Sequence, residues 1–360
     1  MSSERKDQHV DLADAQRPPA AGNDFDDVEF VHHALAGVDR DAVGLGVEFG
    51  GIRWSSPLYI NGMTGGSERT GEINRSLAIA ARETGVAIAS GSMSICLREP
   101  STAPSFRVLR DENPKGFVMA NLSADASAND AARAVDLLEA DALQLHLNSV
   151  QETVMPEGSR NFAAWPSAIE AIVSAVPVPV IVKEVGFGLS RRTLAELAGL
   201  GVRVADVSGS GGTDFARIEN ERRSTRDYSF MGGWGQSAVC SLLDARVATP
   251  GGPALLASGG VRTPLDVVRA LALGAQAVGV SGVFLREVLH GGTDALTARI
   301  TAWLEQVAEL MALLGAATPA ALQGTDVLLR GRTKEFCELR GVDAGAYSRR
   351  STITSVGGNA

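Results

Sequence analysis

Cysteine is scarce in this 360-residue chain. Cys96, Cys240 and Cys337 are scattered, odd in number and without metal-ligand spacing, which argues against a thiolate metal site and fits a reducing, cytoplasmic compartment. Long apolar runs are missing too. None is long enough to span a bilayer, and the polar, charged first residues lack the apolar core of a signal peptide, so none is expected. Positive charge is in deficit: 33 Lys and Arg stand against 42 Asp and Glu, a net charge of −9. That speaks against nucleic acid or an anionic membrane as general partners, although a local basic cluster can still hold a small anion.

What the chain has is glycine, 40 residues of it, and a rhythm. Short apolar runs end in polar residues at Asn61, Ser90, Asn121, Asn148, Lys183, Ser208, Ser258 and Ser281, and a helical stretch follows each. The helices are expected over 68–83, 102–111, 127–140, 166–175, 190–200, 237–246, 264–273 and 283–290. Ser190 is a plausible N-cap and Pro166 suits a first helical turn. The runs are almost continuously apolar, as strands buried on both faces are. Eight such units predict an α/β fold, a (β/α)8 TIM barrel, with a doubly wound sheet as the competitor. Residues 1–57 form an N-terminal arm and docking segment, 58–292 the barrel, and 293–360 a C-terminal helix and tail packed on it. Taken alone, residues 1–24, with a Pro-Pro pair at 18–19, read as a disordered tail, and the segment from 326 onward as peripheral.

The most informative stretch is Leu143-Gln144-Leu145-His146-Leu147-Asn148, whose period of two marks a strand. Gln151 and Glu152 follow just past its end. In a barrel of this kind, function sits at the carboxyl ends of the strands. Polar residues at so many ends imply a ligand. Gly259-Gly260-Val261-Arg262 and Ser281-Gly282 follow the last two strands, where bare amides at a helix start attract phosphate. Ser208 to Thr213 imitates a dinucleotide fingerprint, but a long polar segment follows instead of a helix. Met63-Thr64-Gly65-Gly66 suits a flat ring. Lys183 inside the mouth needs an anion or an electron-rich ring as company. Together these suggest flavin mononucleotide (FMN). Arg5 and Lys6 offer a second anion site of the sort diphosphates use, and Glu152 is a candidate Mg²⁺ ligand. Residues 209–236 are too long for an ordinary connection and read as a lid.

These residues resemble the type 2, flavin-dependent isopentenyl-diphosphate delta-isomerases. The matching stretches are Arg5-Lys6 with His9, Asn61 to Ser67, Gly91-Ser92-Met93-Ser94, His146-Leu147-Asn148 with Gln151-Glu152, Lys183 to Gly186, Ser208 to Thr213, Trp234-Gly235 and Ser258 to Arg262. Phe30 to Gly37 is similar to the actinobacterial members. The resemblance implies interconversion of isopentenyl and dimethylallyl diphosphate in isoprenoid biosynthesis, with FMN reduced by NADPH or NADH, Mg²⁺, and a homo-oligomer, tetramer or octamer. It implies Met63, Thr64, Gly65, Ser92, Asn121, Lys183, Ser208, Thr213, Gly259, Gly260, Ser281 and Gly282 on FMN, with Arg262 in the same loops. It implies Arg5, Lys6, Ser92, Met93, Ser94 and Gln151 on substrate, His9 joining as the arm closes, and Glu152 on the metal. Ser94 stands where relatives carry a longer polar or basic residue.

Shifting a double bond needs an acid, and no carboxyl group at the strand ends is an obvious one. The proton is therefore expected from the reduced flavin, with Gln151 orienting substrate and relaying, and His146 and Asn148 positioning. His32, His33 and His290 read as structural. The competing class is an FMN-dependent oxidoreductase acting on a small hydroxy acid or nucleotide. The first type needs a His base beside late arginines and the second a Cys in a glycine loop, and the sequence has neither setting.

Overall fold

The computed structural model describes residues 3–16, 22–246 and 251–351. The Pro-Pro pair at 18–19 lies outside them. The chain opens with helix α1 (Ser3–Ala15), then strands β1 (Val28–Phe30), β2 (Val47–Phe49) and β3 (Ile52–Trp54). Eight strands follow: β4 (Leu58–Ile60), β5 (Ala87–Ala89), β6 (Val118–Ser123), β7 (Ala142–Leu147), β8 (Val180–Glu184), β9 (Val204–Asp206), β10 (Ala254–Ser258) and β11 (Ala277–Val280). They pair in parallel and in chain order, and β11 returns to β4 to close a barrel. This is the (β/α)8 architecture rather than a doubly wound sheet.

Between the strands run α2 (Glu68–Thr84), α3 (Ser94–Arg98), α4 (Pro104–Glu112), α5 (Ala128–Leu138), α6 (Ser149–Val154), α7 (Trp165–Ala175), α8 (Arg191–Gly199), α9 (Phe215–Arg222), α10 (Ala238–Ala245) and α11 (Pro264–Ala272). Side-chain oxygens start several of them. Ser67 and Thr70 form a reciprocal capping box on α2, and Ser127, Ser190, Ser237 and Thr263 each accept a backbone N–H three residues on. The expected helix over 283–290 and the expected C-terminal helix after 293 are one element, α12 (Gly282–Leu313), broken only at Gly292, whose φ of 75° is outside the helical region. Strand β12 (Val327–Leu329) precedes α13 (Gly331–Arg340) and α14 (Ala344–Tyr347).

Alternation along the strands builds two cores. On β7, Leu143 and Leu145 face the surrounding helices, while Ala142 belongs to an inner cluster with Tyr59, Ala89, Met119, Ile181, Val204, Leu256 and Ala277. A step of two residues toward the carboxyl end exchanges an apolar inward residue for a polar one: Met119 for Asn121, Ile181 for Lys183, Val204 for Asp206, Leu256 for Ser258. The barrel is thus filled at the bottom and polar at the mouth.

Two expectations change here. The described part of the leading segment is a docked helix, with Arg5, Lys6 and Val10 buried, and not a disordered tail. Nor is the segment from 326 peripheral. β12 pairs antiparallel with β1, and Asp326 accepts from His33 and Ser351. Residues 47–54 were expected only to dock. They form a hairpin whose Phe49, Ile52 and Trp54 plug the amino-terminal end, Trp54 lying 5.3 Å from the Tyr59 ring and 5.5 Å from Phe117.

Candidate active site

A cavity of about 320 Å³ occupies the barrel mouth, within the range of small-molecule sites. One end is made of bare backbone. Gly259 and Gly260 have φ of 90° and 78°, and a Cβ on Gly259 would sit 1.9 Å from the Gly209 carbonyl oxygen. Only glycine lets these turns fold so tightly. Asn23 braces them by donating to the Gly260 carbonyl at 2.7 Å. The start of α12 at Ser281 and Gly282 opens onto the same end, as do Ser208 and Thr213. Arg262 lies there too, but its guanidinium is engaged by Asp26 at 2.9 and 2.6 Å and by Asp266 at 3.0 Å. Its charge is spent on fixing the loop.

Met63, Thr64, Ser92, Asn121 and Lys183 line the middle of the cavity. Gly65 and Met93 do not. A Cβ on Gly65 would lie 2.2 Å from the Phe106 ring, and Met93 is fully buried, its N–H donating to the Asn121 carbonyl at 2.8 Å. They hold the wall in place from behind. His146 Nδ1 is 2.9 Å from Asn121 Oδ1, and Asn121 Nδ2 donates to Gln144 Oε1 at 3.1 Å. Asn121 Oδ1 is therefore the acceptor, His146 carries its proton on Nδ1, and its Nε2 offers a lone pair. Burial, then the charges of Lys183 and Lys6, push His146 down to about 3, so it is neutral at pH 7.

Above the far end, Asn148, Gln151 and Glu152 sit where β7 runs into α6. Glu152 accepts from Asn148 Nδ2 at 3.1 Å and from the Ser159 N–H at 2.7 Å. Gln151 Nε2 donates to Glu219 Oε1 at 2.8 Å, which leaves the Gln151 carbonyl oxygen as its acceptor atom. Glu219 is fully buried on α9 and also pairs with Arg222. Burial works to raise its carboxyl, but His9, Gln151 and Arg222 outweigh that and bring it down to about 2.

Helix α1 closes the mouth. His9 Nε2 approaches Glu219 Oε1 to 3.1 Å, and Arg5 reaches Glu157 at 3.2 Å and the Met155 sulfur at 3.0 Å. Lys6 is buried, and that burial, followed by repulsion from Arg5, lowers it to about 8. The arm is sewn down on three sides. Asp7 accepts from Ser67 at 2.7 Å, Gln16 exchanges two 2.9 Å bonds with Asp214, and Asp14 contacts His290 at 3.1 Å. Ser94 lines this end beside Arg98.

The sequence reading passed over two carboxylates. Asp206 lies inside the barrel beside Lys183, on the neighbouring strand, and accepts from Tyr59, Ser258 and the Ser208 N–H. Its signal was a lone acid within the apolar run Val204-Ala205-Asp206-Val207. Glu219 lies within 209–236, which the sequence marked only as a lid. It enters from α9 rather than from a strand end, so a search of strand ends could not find it. Among the described residues no cluster of three or more His, Cys, Asp or Glu could hold a metal. Glu152 would therefore have to share an ion with ligands from a substrate.

Residues 106–329 match the family described as FMN-dependent dehydrogenase. By overall shape the chain is similar to mandelate oxidase, with a TM-score of 0.63 over 89% of this chain and 90% of that one; at 18% identity this likeness concerns the fold alone. Sequence relatives are much nearer. The isopentenyl-diphosphate delta-isomerase of Kitasatospora griseola is 62% identical over 99% of this chain and 97% of its own. That of a Streptomyces species is 60% identical over 98% and 96%, and that of Staphylococcus haemolyticus 46% over 94% and 97%. The chain belongs to the isopentenyl-diphosphate delta-isomerase family, built on the barrel of the FMN-dependent dehydrogenases.

Proposed function

We propose that this chain interconverts isopentenyl diphosphate and dimethylallyl diphosphate by an allylic proton shift without net redox change, using reduced FMN, a nicotinamide cofactor (NADPH or NADH) as reductant, and Mg²⁺. The observation that carries this reading is the closed mouth. Arg5, Lys6 and His9 are held by the arm over Gln151 and Glu152, in a chain 62% identical to an isomerase of that name.

The residues fit FMN. Asn148 Oδ1, on the cavity wall, is buried without a partner, and buried polar atoms without partners are costly unless a ligand supplies them. The glycine turns at 259–260 and the start of α12 would take the phosphate. Met63, Thr64, Ser92, Asn121 and Lys183 would hold the ring, with Gly65 and Met93 supporting that wall. Reduced FMN, when bound, supplies the acid–base group that the alkene needs.

The chain's own residues do the rest. Lys6 and Arg5 bind the diphosphate from above, together with Ser92 and Ser94, and Glu152 shares Mg²⁺ with it. His146, neutral and fixed by Asn121, offers Nε2 as an acceptor, and Asn148 orients the same end. Gln151 is pinned by Glu219 with its carbonyl oxygen available as an acceptor. The docked arm excludes water, which would quench a carbocation. Three buried thiols suit a reducing cytoplasm, and we place the protein there as a homo-oligomer, tetramer or octamer. Incubation with isopentenyl diphosphate, FMN, NADPH and Mg²⁺, omitting each in turn, tests the reading. Product that forms only with reduced flavin supports it, and NADPH consumed in step with product refutes it.

A further inference from the structure

We infer that Asp206 is a positioning residue that acts as the buried counter-charge of Lys183, keeping that ammonium in place on the cavity wall that would hold the flavin ring. This rests on the FMN reading above. Parallel pairing puts Lys183 directly opposite Asp206 across β8 and β9, and both lie on the inward face. Lys183 spends a hydrogen bond on the Glu184 carbonyl at 2.7 Å, so its charge is not cancelled by direct contact with a carboxylate. Asp206 is fully buried, and every group touching it is a donor: Tyr59 Oη at 2.7 Å, Ser258 Oγ at 2.9 Å, the Ser208 N–H at 3.0 Å and Asn61 Nδ2 at 3.4 Å. These come from strands β4 and β10 and from the loops that follow β4 and β9, and none is cationic. Gly279 is part of the arrangement, because a Cβ there would sit 2.5 Å from the Tyr59 ring that reaches across to Asp206.

A buried carboxylate with only neutral donors is costly unless a cation lies nearby, and a buried lysine has the converse difficulty. The charged or titratable groups around Lys183 are few. They are Asp206 on β9, Glu184 on its own strand, and His146 opposite on β7, which is neutral. Burial pulls Lys183 below its ordinary value, and Asp206 is the larger of the two charges that pull it back. Without Asp206 the ammonium would lose its proton at lower pH.

The test is FMN affinity against pH, read by flavin fluorescence quenching from pH 6 to 10, in the purified protein and in Asp206→Asn and Tyr59→Phe. Asp206→Asn should bring the alkaline loss of affinity down by about one pH unit, a roughly tenfold difference on the steep limb. Tyr59→Phe removes a hydrogen bond but no charge and should leave the limb in place. A limb unmoved by Asp206→Asn, or moved equally by Tyr59→Phe, overturns the inference. If Asp206→Asn does not fold, the double variant with Lys183→Met decides. Recovery of a folded protein supports a charge pair, and a double variant that also fails to fold contradicts it. A wild-type protein with no affinity for FMN would instead sink the flavin reading, and the melting temperatures of the same single and double variants would still judge the pair, additive losses refuting it.

Discussion

Gln151 is the residue on which the chemistry is most exposed to test. Its Nε2 reaches Glu219 at 2.8 Å, and shortening it by one methylene breaks that contact while keeping the amide. Gln151→Asn should lower turnover about 100-fold or more while FMN still binds, checked by steady-state assay and flavin absorbance. Near-normal turnover would remove Gln151 from the mechanism. Lys6 gives a pH signature. Its value in the closed arm is about 8 against an ordinary 10.5. It is a cation below that value and loses its charge as pH rises through it. kcat/KM, which reports the free enzyme, should therefore fall above about pH 8, and Lys6→Arg should move the fall upward, because guanidinium stays charged. At this scale the sequence was informative wherever a polar residue ended an apolar run, which is how His146, Asn148 and Lys183 stood out. Gln144, on β7, lies two residues before His146, and Asp206, on β9, two residues before Ser208. The local pattern marks each as a polar residue in an apolar run, but what it faces depends on strands far along the chain.

Among the elements, the arm carries the largest functional weight. Helix α1 is polar, and its capture depends on α2, α9 and α12 together. Its composition alone looked like that of a tail. Deleting residues 1–16 should raise KM for the diphosphate at least tenfold and leave FMN affinity within about twofold, because Arg5, Lys6 and His9 leave while the glycine turns at 259–260 remain. A KM unchanged by the deletion would show that the arm does not touch substrate. The lid segment 209–236 contributes α9 and the buried Glu219. Its cleavage by a low dose of protease should slow when FMN and substrate are added together. An unchanged rate would mean that the segment does not respond to ligand. The eight strands and their helices were legible because burial on both faces leaves an uninterrupted apolar signature. The hairpin plug of Phe49, Ile52 and Trp54 was not, since three-residue strands carry no period and their partners lie far along the chain.

For the whole molecule, stability and activity are joined at the mouth. The lower barrel is an apolar core closed by Trp54, and the upper half is a ring of polar groups, several of them unpaired. Such a half-satisfied interior should gain from its ligand. FMN at about 100 times its dissociation constant should stabilise the fold by about 2.7 kcal/mol, seen as a rise of a few degrees in melting temperature. No rise would mean that the polar ring is satisfied without flavin. The measurement that reaches the central claim most directly is conversion of isopentenyl diphosphate by protein stripped of flavin and then reconstituted. Activity should be absent in the stripped protein and return with FMN under reducing conditions, with no NADPH used beyond the initial reduction. Full-speed conversion by the flavin-free protein would contradict the account.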